Sequence, residues 1–373
     1  MVLNWFKLIG KLLIAFVVII LLIVAISLAY VSWAPIFGGT PDAQSQNKIN
    51  RSANFNGDIF VNLVPTQVAT PNDASQTLWA TLLDLLIPPP DKNPRKPLPA
   101  EQLVSLNNGD YVWLGHSSVV FKQDELTIMT DPVLHRASPV FFGGKPFAQE
   151  VPIVASDLPN LDIVLISHDH YDHLDNETLL EIDDKVGQYL VPLGVKAHLQ
   201  RWGIADNKIV ELDWYESKAF GPLTVVLTPS RHFSGRGLTD RFKTLWGSWV
   251  VKSSVQTIYF SGDGGYSPEF AKIGQQFGPF DIAFLEDGAY NQDWAQIHMF
   301  PEQAVQAAID LNAGLVLPIH WGKYDLARHR WTEPVERIKK AAREANVEVT
   351  TPVIGQVFRV DDYPKKSWWL GYK

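Results

Sequence analysis

The chain has 373 residues, of which 46% are hydrophobic and 19% charged, and it carries a formal net charge of −8. This length fits one catalytic domain with extensions, and the negative charge argues against a nucleic-acid partner, because neutralising phosphates needs an excess of Lys and Arg. The chain has no cysteine, which excludes disulfides, thiolate catalysis and Cys-ligated zinc. Any metal must therefore be held by His and carboxylate side chains.

The first predicted element is a transmembrane helix. Residues 12–31 carry no charge, and a helix of this length, at about 1.5 Å per residue, spans the hydrocarbon core of a bilayer. A cleaved signal peptide would have a shorter apolar stretch with a small-x-small cleavage site, whereas this run continues to Trp33. We therefore predict an uncleaved membrane anchor over residues 12–33.

The basic residues near this helix predict its orientation. Lys7 and Lys11 precede the span, and no Lys or Arg follows it before Lys48. By the positive-inside rule, residues 1–11 lie in the cytoplasm and the rest of the chain lies outside it. The prediction is a single-pass protein of the inner (cytoplasmic) membrane with an extracytoplasmic catalytic domain.

Two segments connect the anchor to the catalytic region. Residues 34–50 are polar and contain turn-forming residues, which predicts a flexible juxtamembrane linker. Residues 51–108 include a stretch with helical apolar spacing at 78–87, followed by three prolines. Phe55 and Phe60 belong to an apolar surface too large for a free tail. We therefore predict an N-terminal arm that packs on the catalytic domain.

Residues 109–373 are predicted to form one α/β catalytic domain. The predicted strands are 111–114, 119–121, 126–130, 163–167, 223–228, 248–253, 257–261, 282–285 and 315–319. The predicted helices are 176–182, 192–202, 301–311 and 333–344. Strands come first and helices later in each half, which predicts two sheets with helices outside them.

One motif constrains the chemistry more than any other part of the chain. Directly after an apolar, strand-like run, four metal-capable side chains occur within six residues: His168, His170, Asp172 and His173. The chain has only 10 His residues and three are in this motif, so a solvated polar turn is a poor explanation. On a short turn, His168 and His170 can reach one cation, while Asp172 and His173 can reach a second. The motif predicts a two-metal hydrolase.

Further ligands are expected at the ends of other strands. His232, Asp263 and His320 each follow a predicted strand, and separate strands can direct side chains to a common point. Each residue alone would more often be structural, but their combination with the motif favours metal binding. We predict one cation at His168, His170 and His232, a second at Asp172, His173 and His320, and Asp263 as a bridge. Zinc is the default for such ligands, although iron or manganese also fit.

These residues resemble, in type and order, the metal-binding residues of the metallo-β-lactamase superfamily, whose fold is a four-layer αβ/βα sandwich with a dinuclear site at one edge. Over residues 111–326 the chain resembles more closely one branch of this superfamily, that of N-acylphosphatidylethanolamine-hydrolysing phospholipase D and its bacterial relatives. The segments that carry this resemblance are WLGHSSVVF, TDPVLHRASP, SHDHYDHLD, HFSGRGLTDRFKTLWGSW, FSGDGGY, IHMFPEQAV and LPIHWGKYDLA. The resemblance implies the same seven metal ligands and adds His298 as a contact of the scissile phosphate. The transmembrane anchor is a departure from the family.

The resulting hypothesis is a membrane-anchored, dinuclear-metal phosphodiesterase of phospholipase D type, acting on an N-acylphosphatidylethanolamine-like lipid or a small phosphodiester. Its predicted catalytic residues are Asp172, Asp263 and His298. Two divalent metal ions would activate water and hold phosphate oxygens, while His298 would stabilise developing charge or assist the leaving group. One alternative is a lactonase or other carboxylic ester hydrolase on the same metal site. Another is a non-catalytic, membrane-tethered binding or resistance-associated protein. The sequence leaves the oligomeric state open.

Overall fold

A computed structural model describes residues 2–69, 87, 90–140 and 143–373 of the protein. The helix predicted at 78–87 lies outside the described residues except for its last position.

The N-terminal helix α1 spans Val2–Trp33. Within its apolar part, Trp5–Trp33, the most apolar window has a mean hydropathy of 3.4. No residue of this window is buried. By length and composition this is a candidate membrane span. The helix starts earlier than the predicted span because residues 2–11 are mostly apolar and, with Lys7 and Lys11 as their only charges, continue the same helix.

The segment after α1 differs from the flexible linker that was expected. A short 3-10 turn at Pro35–Phe37 leads to helix α2, Ala43–Arg51. The Asp42 carboxylate accepts a hydrogen bond of 2.8 Å from the N–H of Ser45 and so caps this helix, and Ile49 is only 1% exposed. The polar composition therefore reflects a helix cap and a solvated helix face rather than flexibility.

The described part of the chain contains two sheets, one 7-stranded in the order β13-β1-β2-β3-β4-β5-β6 and one 6-stranded in the order β12-β11-β10-β9-β8-β7. The strands are β1 Tyr111–Trp113, β2 Val119–Gln123, β3 Leu126–Thr130, β4 Leu161–Leu165, β5 Val186–Pro192, β6 Ile209–Leu212, β7 Ser217–Phe220, β8 Leu223–Thr228, β9 Ser248–Lys252, β10 Thr257–Phe260, β11 Ile282–Glu286, β12 Val316–Ile319 and β13 Val357–Phe358. The remaining helices are α3 Asn176–Ile182, α4 Lys196–Arg201, α5 Glu269–Phe277, α6 Pro301–Leu311 and α7 Glu333–Ala345.

Helices cover the outer face of each sheet. The two inner faces pack against each other through large side chains such as Phe121 and Trp249. Leu179 of α3 belongs to the core under the first sheet, whereas Ala308 of α6 and Ile338 of α7 belong to the core under the second. This helix-sheet-sheet-helix arrangement confirms the predicted four-layer sandwich.

Parallel pairing determines where the strand ends meet. Strands β3 to β6 pair in parallel in the first sheet, and β10 to β12 do so in the second. Parallel strands present their carboxyl ends at the same edge, so the loops that follow them lie together. The helix predicted at 192–202 is shorter than expected, because Pro192 ends strand β5 and α4 starts only at Lys196.

Candidate metal centre

The structure brings all seven predicted metal ligands together at one edge of the sandwich. The motif residues follow β4, and the other three follow β8, β10 and β12, so that both sheets contribute. Their ring nitrogens and carboxylate oxygens form several groups that are close enough to hold metal ions. The seven predicted metal ligands are His168, His170, Asp172, His173, His232, Asp263 and His320.

His168, His170 and His232 form a three-imidazole cluster. Nε2 of His168 lies 2.9 Å from Nδ1 of His170, which in turn lies 3.3 Å from Nε2 of His232. In a tetrahedral site with metal–nitrogen distances of about 2.0–2.1 Å, neighbouring nitrogens are roughly 3.3 Å apart. The spacing of these nitrogens therefore fits a shared cation.

Asp172, His173 and His320 form the second cluster. Oδ2 of Asp172 lies 3.5 Å from Nε2 of His173 and 3.3 Å from Nε2 of His320. His116 joins this group, because its Nε2 is 3.1 Å from the same carboxylate oxygen. The sequence leaves open whether His116 supports the site or merely packs in a loop, and the structure places it in contact with Asp172.

Asp263 lies between the two clusters. Its Oδ2 is 3.0 Å from Nε2 of His320 and 3.2 Å from Nε2 of His173. The same oxygen is 3.8 Å from Nε2 of His232 and 4.0 Å from Nε2 of His168. Burial alone would raise the pKa of the Asp263 carboxyl, but the neighbouring His173 and His320 hold it well below its ordinary value. A single carboxylate therefore faces both clusters, as a bridging ligand would.

Unpaired polar atoms support metal binding at this point. Oδ1 of Asp263 is buried without a hydrogen-bond partner in the described part of the chain, and Nε2 of His173 and of His320 approach only Oδ2 of Asp263 and of Asp172 without meeting hydrogen-bond geometry. Buried polar atoms are normally hydrogen-bonded, so these atoms suit ligation of cations. A donor set of imidazoles and carboxylates accommodates zinc, iron or manganese.

Asp131 orients His173, and sequence reasoning missed it. The fully buried Asp131 carboxylate lies 2.6 Å from Nδ1 of His173 and accepts hydrogen bonds from the N–H and hydroxyl of Ser167 at 2.7 and 2.6 Å. Burial raises the pKa of Asp131, although the hydrogen bond with His173 opposes this. Such a carboxylate–histidine pair holds the tautomer that leaves Nε2 free for the metal. The sequence feature that could have indicated this role is the position of Asp131 directly after β3, at the same edge of the sheet as the metal-binding motif.

We expect Asp131→Asn to weaken metal binding by about 10- to 100-fold, the usual cost of losing a partner that orients a metal-binding histidine. Zn²⁺ affinity, measured by competition with a chromophoric chelator, checks this. The matched control is Asp162→Asn, because Asp162 lies on the neighbouring strand β4 and its carboxylate accepts a hydrogen bond from Thr127 N. Equal affinity in both variants would show that Asp131 does not orient a ligand.

His298 lies beside the centre and is held by a second residue that the sequence did not suggest. Its Nδ1 is 3.3 Å from Oε2 of Glu286 and 3.9 Å from Oδ2 of Asp263. Glu286 is fully buried at the end of β11, burial raises its pKa, and its Oε1 accepts hydrogen bonds from the N–H groups of Gly264 and Met299. Glu286 therefore fixes the orientation of the His298 ring. Asp263, Glu286, His298 and His320 are also close enough together to hold a metal ion.

A pocket of about 330 Å³ opens onto this centre. It is lined by polar residues, which we call its floor, and by apolar residues, which we call its walls. The floor consists of His170, Asp172, Asp263, His298 and His320, and the walls consist of Val68, Phe233, Ala289, Trp294, Ile297 and Leu326. The pocket thus combines a metal-binding floor with apolar walls.

One wall comes from the N-terminal arm, which contributes Val68. The side chain of Asn62 makes two hydrogen bonds to the backbone of His232, at 2.8 and 3.1 Å. Arg231 donates to Thr66 Oγ1 at 3.0 Å and to the carbonyl oxygen of Pro65 at 2.8 Å. The arm is therefore attached to the segment that carries a predicted metal ligand.

Fold and site together define a metal-dependent hydrolase with a metallo-β-lactamase fold. Residues 127–321 match the family model described as the Beta-lactamase superfamily domain. The chain belongs to the metallo-β-lactamase superfamily, and this fold implies a dinuclear metal site with a His/Asp cluster.

Comparison with known proteins identifies relatives along most of the chain. An uncharacterized protein of Mycobacterium tuberculosis is 40% identical over 350 residues, which cover 89% of this chain and 92% of that protein. The N-acyl-phosphatidylethanolamine-hydrolyzing phospholipase D 1 of Caenorhabditis elegans is 35% identical over 268 residues, 67% of this chain and 75% of that protein. Among solved structures, a diiron β-hydroxylase of Streptomyces venezuelae has the same fold, with a TM-score of 0.54, 22% identity and coverage of 69% and 55% of the two chains.

Proposed function

We propose that the protein is a membrane-anchored phosphodiesterase of phospholipase D type that hydrolyses N-acylphosphatidylethanolamine-like lipids. The observation that carries this proposal is the pocket in which apolar walls rise above a His/Asp metal-binding floor. A substrate with a phosphodiester and acyl chains has both chemistries. The name of the Caenorhabditis elegans relative gives the same substrate class.

The metal ions would supply activated water and positive charge for the phosphate oxygens. The oxygen of a water molecule would bond to phosphorus while the phosphorus–oxygen bond to the headgroup breaks. One proton of that water would end on the leaving oxygen, so that a phosphatidate and an alcohol leave the site. In this proposal Asp172 and Asp263 are catalytic residues, because their carboxylates bind the metal ions at the floor of the pocket. Zinc is the first expectation for the two ions, with iron or manganese as alternatives.

His298 is proposed to contact the scissile phosphate. Because Glu286 engages Nδ1 of its ring, the other ring nitrogen is available to a phosphate bound above Asp263. A preorganised hydrogen bond to an oxygen that gains charge in the transition state lowers the barrier to hydrolysis. His298 thus acts on the substrate, and Glu286 acts through His298 as a positioning residue.

The apolar walls are proposed to hold the acyl part of the lipid. Phe233, Trp294 and Ile297 line the pocket, and Leu326, which is 36% exposed, extends the apolar surface to its mouth. Contact with an acyl chain would gain roughly 25 cal/mol per Å² of apolar surface removed from water. Helix α1 would keep this pocket close to lipid headgroups, and the two lysines near its start favour the extracytoplasmic side for the catalytic domain.

A combined metal and substrate analysis tests the proposal. We expect elemental analysis of the purified full-length protein to find two metal ions per chain, and we expect turnover of phosphodiesters in preference to phosphomonoesters and lactones. Chelation should abolish this turnover and Zn²⁺, Fe²⁺ or Mn²⁺ should restore it.

The alternatives give different outcomes in the same assay. Preferred turnover of a lactone or carboxylic ester would replace the phosphodiesterase by the carboxylic ester hydrolase. Two bound metals without turnover of any ester would favour the binding or resistance-associated protein.

A further inference from the structure

The last residue of the candidate membrane span and the six residues after it pack against the loop that carries the metal-binding motif. We infer that residues 33–39, which we call the exit segment, are a positioning element of this loop, so that tight metal binding requires the exit segment to be docked. The inference rests on the proposed metal centre and not on the identity of the substrate.

The exit segment is fixed by three hydrogen bonds to helix α4 and to Trp202, the residue that follows this helix. Arg201 Nη2 donates to the carbonyl oxygen of Trp33 at 2.9 Å, and Trp202 Nε1 donates to that of Pro35 at 2.6 Å. The N–H of Gly39 donates to Nδ1 of His198 at 3.0 Å. The chain leaving the anchor is therefore held along its length rather than free to swing.

Arg236 connects the exit segment to Asp169, near the start of the metal-binding motif, and to Leu174, directly after it. Its Nε donates to the carbonyl oxygen of Ile36 at 3.0 Å. Its Nη1 donates to the carbonyl oxygens of Asp169 at 2.6 Å and Leu174 at 2.8 Å. Arg236 is only 4% exposed, and a buried guanidinium that loses an acceptor incurs a large desolvation cost. Displacing Ile36 would therefore disturb the residue that ties the loop together.

A second connection passes through His198 to Asp169, which lies between His168 and His170. Because Nδ1 of His198 accepts the N–H of Gly39, the proton of a neutral ring must be on Nε2. That nitrogen lies 3.3 Å from Oδ2 of Asp169 and can donate to it. The N–H of Gly39 thus selects the His198 tautomer that can donate a hydrogen bond to Asp169. Asp169 itself is flanked by two predicted ligands, His168 and His170.

The fit at the two glycines leaves no room for a side chain. A Cβ atom on Gly38 would lie 1.9 Å from Nδ1 of His198, and one on Gly39 would lie 2.3 Å from the carbonyl oxygen of Ala197. Tyr171, within the motif, adds an edge contact to the Phe37 ring, with centroids 6.5 Å apart. The exit segment and the motif are thus one packed unit.

The test uses the full-length protein in detergent. Gly39→Pro removes the N–H that His198 accepts, whatever adjustment the backbone makes. We expect its Zn²⁺ affinity to fall by about 10- to 100-fold, as for loss of other partners that orient ligands. Phe37→Ala, which leaves every backbone hydrogen bond possible, should change the affinity in the same direction by less. Thr40→Ala, at an exposed neighbouring position, should bind Zn²⁺ as the parent does.

Chelator competition gives the affinities, and the melting temperature of the metal-free protein shows that each variant is folded. Wild-type Zn²⁺ affinity in a folded Gly39→Pro would overturn the inference, and so would an equal loss in Thr40→Ala. Because the readout is metal affinity, a protein that binds Zn²⁺ but hydrolyses no phosphodiester would contradict the proposed function and leave this result intact.

Discussion

Replacement of Asp263 by alanine is expected to lower turnover by on the order of 10³-fold or more and to reduce the metal content of the protein. The reason is its position, because one carboxylate oxygen faces His320 and His173 at 3.0 and 3.2 Å and also approaches the other cluster. Removing it takes away negative charge shared by both proposed ions. Without that charge, two cations would repel each other across a buried site.

Turnover and elemental analysis of the same preparation check this expectation. Asp281→Ala is the control, because this exposed carboxylate directly precedes β11 of the second sheet and accepts a hydrogen bond from Thr257 N. Full turnover together with full metal content in Asp263→Ala would rule out the bridging role.

Replacement of His298 by alanine is expected to lower phosphodiester turnover by about 10²- to 10³-fold while the metal content stays unchanged. His298 lines the pocket but belongs to neither of the two three-residue ligand clusters. Its loss should therefore remove a contact to the phosphate rather than a metal ion. Glu286→Gln should also reduce turnover. One Glu286 oxygen faces Nδ1 of His298 and the other accepts the N–H groups of Gly264 and Met299, whereas an amide has only one oxygen that can accept.

Comparing phosphodiesters with lactones and carboxylic esters as substrates distinguishes the proposed phosphodiesterase from a carboxylic ester hydrolase. If the site were built for lactones or carboxylic esters, His298→Ala would leave their hydrolysis nearly unchanged. His135→Ala is a suitable control, since His135 pairs with Glu181 at 2.9 Å on the surface. A loss of metal in His298→Ala would instead assign His298 to the metal ions, through the group that it forms with Glu286.

The sequence predicts the strands that lead to the centre because their apolar runs are continuous. The motif after β4 and the residues after β8, β10 and β12 can therefore be assigned to one edge from their sequence positions alone. Strand β5 was missed because Gly187 and Gln188 interrupt its apolar run, although the strand pairs on both sides.

Orienting residues are harder to predict, since their role depends on neighbours from other strands. Asp131 follows β3 and Glu286 ends β11, and neither sequence context reveals which histidine each will meet. The same limit applies to α2, which is recognisable as a helix only when Ile49 is seen to be buried and Asp42 to cap the first turn. In each case composition describes the residue, and tertiary contacts decide what it does.

The N-terminal arm has a consequence for how substrate preference could change. It supplies Val68 to the pocket wall but no predicted ligand, so this part of the wall is encoded in a stretch of the chain separate from the ion-binding floor. In the proposed lipid hydrolase, substitutions between residues 63 and 69 would thus change which acyl chains fit beside Val68 and leave the predicted ligands unchanged. Asn62 should stay unchanged, because its side chain makes two hydrogen bonds to the backbone of the predicted ligand His232. A library that randomises 63–69 and keeps Asn62 would show whether this part of the wall sets the selectivity of the proposed lipid hydrolase.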